Sequence, residues 1–245
     1  MDIINSQNLL PKQEPEPIKT SAPLLGVIGG MGTQATASFY EKLHALQSVT
    51  KEQDYLDVLV FSMPSIPDRT AFITGKSDDN PLNHLIRAAK TLENAGSSCI
   101  ALPCATSHYF YDDIKNSVNI PILHLLDETA KYVYNQNIKK VCLLATTGTI
   151  QGKAFHSAFG KYNIEVTTPQ QNIQSEIMDI IYNIKKGTDV SPQVLNQIID
   201  ISLNNTESVI LGCTELCVID YEYPKTVNIL DVLAKASVDL LLQFR

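Results

Sequence analysis

The sequence predicts an α/β protein made of two similar parallel-sheet domains with a pseudo-two-fold relation and an active-site cleft between them. Three observations predict it. Short apolar runs alternate with helically spaced stretches along most of the chain, as parallel strands joined by crossover helices require. A small-residue turn follows the first strand of each half, at Gly29-Gly30-Met31-Gly32 and at Thr146-Thr147-Gly148-Thr149. A cysteine then closes a later strand in each half, in Pro103-Cys104-Ala105-Thr106 and in Gly212-Cys213-Thr214-Glu215.

Taken in order, residues 1–22 hold Lys12, Glu14, Pro15, Glu16, Pro17 and Lys19 without a sustained apolar run, which predicts a disordered tail and no secretory core. Leu24 to Ile28 reads as a buried strand, and the glycines after it let the backbone turn before a helix from Ala35 to Leu46. Val58 to Phe61 is a second strand, whose exit carries Pro64 and Pro67 and is expected to be a loop through Thr70. Leu85, Ile86, Ala89 and Leu92 have helical spacing, and Gly96 stops that helix before a strand at Cys99 to Leu102. Asn119 to Leu123 leads into the second half. There a helix at Asp127 to Tyr134, strands at Lys140 to Ala145 and Ile164 to Val166, and helices at Ile173 to Ile184 and Gln193 to Leu203 precede the strand Ser208 to Gly212. A helix from Asp231 to Phe244 closes the chain.

Composition narrows the function. A chain of 245 residues with 44% hydrophobic content can bury substantial cores, and a net charge of −7 argues against nucleic-acid and membrane-surface partners, which need clustered cations. A small-molecule ligand is the expected partner. No run of roughly 18 apolar residues predicts a membrane-spanning helix. The five cysteines, an odd number in a chain too long to need staples, suggest reduced thiols and a cytoplasmic setting.

In parallel sheets, ligands collect at the carboxyl ends of the strands. The glycine turn, the Pro-Asp-Arg loop, the threonine turn and both cysteine turns all fall there. Cys104 and Cys213 are each expected to open a helix, where the dipole would bring a thiol toward neutral pH. Two such thiols on opposite sides of a bound carbon can remove a proton from one face and return one to the other. Cys99 and Cys142, inside strands, read as buried apolar residues. Cys104 with His108 and Cys213 with Cys217 also form two i, i+4 pairs with the residue types that ligate zinc, but the spacing is not that of a common finger, and no metal is expected. His108 is expected either to tune the Cys104 thiol or to play a structural part.

Gly30-Met31-Gly32-Thr33-Gln34-Ala35 matches a dinucleotide turn, yet no acid ends the second strand to hold a ribose, so a carboxylate held against Gly30, Met31 and Gly32 explains the turn equally well. The planar fork of Arg69 suits a substrate carboxylate, with a surface ion pair to Asp68 or Asp78 as the alternative. Thr106, Thr147, Thr149 and Thr214 offer hydroxyls to an amino or carboxylate group, and Glu215 is placed to orient Cys213 or to cap a helix.

Through these motifs, together with Ile66-Pro67-Asp68-Arg69-Thr70, residues 23 to 245 resemble the cofactor-independent aspartate/glutamate racemases, most closely the aspartate racemase branch. The resemblance implies racemisation of aspartate or glutamate without pyridoxal phosphate or any other cofactor, Cys104 and Cys213 acting as opposed acid/base groups and Arg69 holding a carboxylate. It implies a homodimer, a first domain of residues 23–120 plus 226–245, and a second of residues 121–225. Three positions depart from the family pattern: Thr33 replaces a proline, Ala105 replaces an asparagine, and Ser175 falls where the aspartate-specific members carry a lysine. The alternatives are an amino-acid-binding protein without turnover and a related cysteine isomerase of maleate isomerase or hydantoin racemase type.

Overall fold

A computed structural model describes residues 22–219 and 223–244, so the expected tail lies outside the described residues but for Ala22. The first half runs β1 (Leu24–Gly29), α1 (Thr33–Ala45), β2 (Asp57–Ser62), α2 (Arg69–Ile73), α3 (Leu82–Asn94), β3 (Cys99–Ala101) and α4 (Tyr111–Lys115). The second runs α5 (Leu125–Asn135), β4 (Lys140–Leu144), α6 (Thr147–Gln151), α7 (Ala154–Gly160), β5 (Glu165–Thr167), α8 (Gln171–Lys185), α9 (Pro192–Leu203), β6 (Ser208–Leu211), β7 (Thr226–Asn228) and α10 (Ile229–Leu242).

Every strand pair is parallel. The first sheet has the order β2-β1-β3 and the second β5-β4-β6-β7, so the first strand of each half is central and is flanked by the next two. The repeat extends to the edges. Ile122 bridges to Ile100 of β3, with Leu123 donating to the Ile100 carbonyl at 2.8 Å, in the position that β7 takes beside β6. The boundary implied by the resemblance puts residues 226–228 with the first domain; here they extend the second sheet, while α10 packs on both α1 and α5.

One buried cluster joins Leu25, Val27 and Phe39 of the first half to Val141, Leu143, Ile181 and Ile210 of the second, with Leu230 and Leu233 of α10 among them. A second cluster, including Ile28, Met63, Leu85 and Ile100, fills the other face of the first sheet. The proline-rich exit of β2 is a loop only as far as Asp68. Its carboxylate accepts the Ala71 N–H at 2.9 Å and starts α2, a cap that the prolines obscured in the sequence.

Cys99 and Cys142 are buried strand residues, as their positions predicted, and burial pushes the Cys99 thiol up to about 12 and raises that of Cys142. Cys217, buried after β6, is also pushed up to about 12 by burial. Unfolding returns these thiols to their ordinary range near 9.0, so from there to about pH 12 the unfolded chain releases protons that the folded chain keeps. Stability is therefore expected to fall as pH rises through that window, by up to about 1.4 kcal/mol per pH unit for each linked thiol. Denaturant titrations at about pH 8 and about pH 10.5 check this, and equal unfolding free energies at the two would contradict it.

Candidate active site

Both cysteine turns and the glycine turn meet where the two sheets present their carboxyl ends. Gly30 has φ +91°, and a Cβ there would lie 2.5 Å from the Met63 nitrogen, so the turn both needs glycine's left-handed backbone and presses on the exit of β2. Two residues on, a Cβ on Gly32 would stand 2.7 Å from Glu215 Oε1, which places the turn of the first half directly against the cysteine turn of the second. The halves touch again where a Cβ on Gly148 of α6 would lie 2.8 Å from Thr70 Cα of α2.

Cys104 leaves β3 with extended backbone and is 5% exposed. Its Sγ lies 3.2 Å from the Ser107 hydroxyl, which also reaches Met31 Sδ at 3.5 Å. Cys213, equally buried at 5%, donates its thiol hydrogen to Glu215 Oε2 at 2.9 Å. The other carboxylate oxygen of Glu215 accepts from Lys185 Nζ at 2.7 Å. Burial works against the charge on Lys185. The fields of Glu215, Cys213 and Cys104 and the bond to Glu215 outweigh it and raise the ammonium above its usual range. One cation therefore acts on both thiols.

Neither cysteine opens an α-helix, contrary to expectation. Ala105–Phe110 and Leu216–Val218 are 3-10 segments, whose short, tight turns supply little of the dipole that an α-helix would. At Cys213 the expected lowering is reversed. Burial and then the charge of Glu215 hold this thiol well above its ordinary range, against the smaller opposing effect of Lys185.

The zinc alternative fails on geometry. His108 Nε2 accepts the Leu125 N–H at 3.1 Å, so Nδ1 carries the hydrogen and donates to the Cys104 carbonyl at 3.0 Å, leaving neither ring nitrogen for a metal. Burial, with the nearby His124, lowers this imidazole to about 3, so it is neutral and ties the Cys104 backbone, rather than the thiol, to the start of α5. Cys217 donates to the Leu211 carbonyl at 3.3 Å, and among the described residues no three His, Cys, Asp or Glu side chains group as metal ligands.

Arg69 is buried rather than superficial, at 8% exposure, and among the described residues it has no carboxylate partner. Its Nη1 donates to the carbonyls of Ile66 at 3.1 Å and Pro67 at 2.9 Å, while its buried Nε has no acceptor among the described residues. Asp68, the alternative partner, instead caps α2 and accepts from Tyr182 Oη at 3.2 Å. Thr106 and Thr149 turn toward each other across the halves at 2.8 Å and share a buried triangle of hydroxyls with Thr146. Thr214 is buried beside Cys213, Thr147 is partly exposed at the start of α6, and Met31 is buried. The Gly30 N–H, one of those expected to hold a carboxylate, is taken by Thr36 Oγ1 at 2.9 Å.

Two residues of this cluster were missed from sequence. Ser175, where a family lysine was expected, is exposed and donates to the Gln171 carbonyl at 3.0 Å; the cation comes instead from Lys185. The signal was present, because Lys185 directly follows Ile184 at the end of the buried stripe Ile177, Ile181 and Ile184 of α8. Ser107 had no signal of its own, since only the fold brings Met31 beside the Cys104 turn.

Among the described residues no helix is long and apolar enough to cross a membrane. A sequence model of the Asp/Glu/hydantoin racemase family matches residues 28–239. The chain is 27% identical over 237 residues to the broad-specificity amino-acid racemase RacX of Bacillus subtilis (strain 168), covering 91% of this chain and 100% of that one. Among solved structures, aspartate racemase from Picrophilus torridus superposes with a TM-score of 0.80 at 28% identity, over 90% of this chain and 94% of the other. Glutamate racemase from Francisella tularensis, in complex with D-glutamate, shares the fold at a TM-score of 0.68 and 20% identity, over 91% and 81% of the two chains.

Proposed function

The chain belongs to the Asp/Glu/hydantoin racemase family of isomerases, and from that premise we propose that it interconverts the enantiomers of an α-amino acid, with Cys104 and Cys213 as its two acid/base groups. The observation that carries this reading is the pair of buried thiols, one from each half, at the ends of the corresponding strands β3 and β6 and under the field of one ammonium. The α-carboxylate sits on Arg69, whose buried Nε has no acceptor among the described residues. One thiolate takes the α-proton, the negative charge spreads onto the carboxylate held by the guanidinium, and the opposite thiol returns a proton to the other face. No cofactor takes part in these steps.

Lys185, the second cation, is already paired with Glu215. Among the described residues of this cluster Arg69 is therefore the guanidinium left for a carboxylate, and Ala105 offers no side-chain amide, so the substrate is bound mainly through its amino-acid core. The broad specificity in the name of the Bacillus subtilis relative supports this reading of the side-chain pocket.

Proton exchange in deuterated buffer, followed by NMR over L- and D-amino acids including aspartate and glutamate, tests the function. Exchange with inversion of at least one is expected. A panel with no exchange overturns the reading and leaves amino-acid binding without turnover, or another cysteine isomerisation. On whichever amino acid exchanges, Arg69→Lys is expected to raise KM by about tenfold or more with a smaller effect on kcat, because an ammonium cannot reproduce the planar fork. Unchanged steady-state constants would remove Arg69 from the site.

A further inference from the structure

We propose that the Ser107 hydroxyl is a working part of the Cys104 acid/base group, accepting the thiol's hydrogen when Cys104 is neutral and turning to donate to the sulfur when Cys104 is ionised. The inference rests on the two-thiol reading above. Ser107 is fully buried, and among the described residues its hydroxyl bonds only to sulfur, Cys104 Sγ at 3.2 Å and Met31 Sδ at 3.5 Å. Several helical serine and threonine hydroxyls return to a carbonyl one turn back, as Ser117 does to Ile114 at 2.7 Å and Ser237 to Leu233 at 2.7 Å. Ser107 does not. The carbonyl three residues before it, that of Cys104, is already occupied by the Ser107 N–H and by His108 Nδ1.

The chemistry of the two sulfurs then dictates two arrangements. A thioether accepts but never donates, so any bond to Met31 uses the serine hydrogen. With Cys104 neutral, its S–H donates to Ser107 and the hydroxyl donates to Met31. With Cys104 ionised, the hydroxyl swings to donate to the thiolate, a stronger bond than either bond to neutral sulfur. Ser107 keeps its own hydrogen throughout. The substrate's α-proton moves to Cys104 sulfur, the bonding pair stays on the substrate, and the replacement proton comes from the Cys213 S–H.

Cys213 has the opposite kind of partner. The Glu215 carboxylate can only accept, so it holds that thiol in its protonated form. The two thiols thus differ in their partners, a hydroxyl that can both accept and donate at Cys104 and a carboxylate that can only accept at Cys213. Among the described residues the Lys185 ammonium is coupled to the charge of Cys104; His108, one turn away, is neutral, and a change at Ser107 leaves both in place.

The test is iodoacetamide alkylation of Cys104 as a function of pH, read by mass spectrometry of its peptide in the full-length protein, for wild type, Ser107→Ala and Met31→Leu. Ser107→Ala is expected to move the Cys104 profile upward by about one pH unit while leaving that of Cys213 in place, because the anion loses its donor. Racemisation falls about tenfold near neutral pH and recovers as the pH is raised. Met31→Leu removes the competing acceptor and is expected to move the profile downward. A Ser107→Ala profile that superimposes on wild type in folded protein overturns the proposal, as does a Met31→Leu profile that is unmoved or moves upward. If Ser107→Ala does not fold, the Met31→Leu profile decides alone. Alkylation needs no turnover, so shifted profiles in a protein that exchanges no amino acid uphold Ser107 and sink the racemase reading. Exchange with unshifted profiles does the reverse.

Discussion

Cys213→Ala is expected to cut interconversion of enantiomers by about a thousandfold and to leave the fold intact. The change removes one sulfur from a buried site and frees an oxygen of Glu215 that still has Lys185 beside it, so the structural cost is about 1 kcal/mol. The chemical cost is the loss of one of two proton-transferring groups. With Cys104 alone, only the enantiomer that presents its α-proton to Cys104 exchanges with solvent, and it does so with retention. Inversion is expected to fall by about a thousandfold. Cys104→Ala should show the mirror behaviour, with slow exchange of the other enantiomer. Deuterium incorporation and optical rotation, followed together for both variants and both enantiomers, read all four cases. Racemisation at the wild-type rate by either variant would sink the two-thiol mechanism.

Glu215→Gln has the second large effect, and it acts on stability and reactivity together. Glu215 is 2% exposed and compensates Lys185, so the amide leaves an ammonium without its counter-charge inside the cleft. A loss of about 2–3 kcal/mol is expected, somewhat below the range for a fully buried pair because Lys185 keeps 21% side-chain exposure. The Cys213 thiol, now beside a cation and no longer beside a carboxylate, should alkylate faster near neutral pH. Lys185→Met alone should cost a similar amount, and Lys185→Met with Glu215→Gln less than the sum of the two. Denaturant unfolding of the four proteins gives the coupling. Additive losses would mean that the pair contributes nothing as a pair.

The strands and long helices were legible because their signals are local. Apolar runs such as Val141 to Leu144 sit at the centre of a sheet, and the stripe Leu85, Ala89, Leu92 marks the buried face of α3, as such periodicity requires. The short elements were not. The five-residue α2 and α6 and the three-residue β7 hold too few residues for a period to show, and they exist because caps or neighbouring strands complete them, as Asp68 does for α2 and β6 for β7. The helix starts expected at Cys104 and Cys213 failed for a related reason. Each turn is buried between the halves and tightens into 3-10 geometry there, which no propensity records.

By itself the sequence determined the two-half parallel architecture and the family to which the chain belongs, and it singled out Cys104 and Cys213 as candidates. All of this follows from patterns carried within a few neighbouring residues. Only the tertiary structure decided the partners of those cysteines: Lys185 and Glu215 at Cys213, Ser107 with Met31 at Cys104, and a backbone role for His108. Met31 and Ser107 are 76 positions apart and Lys185 and Glu215 are 30 apart. The protonation of a buried thiol depends on whichever charge or hydrogen-bonding group lies a few ångströms from it. That distance is set by how two sheets pack, not by spacing along the chain.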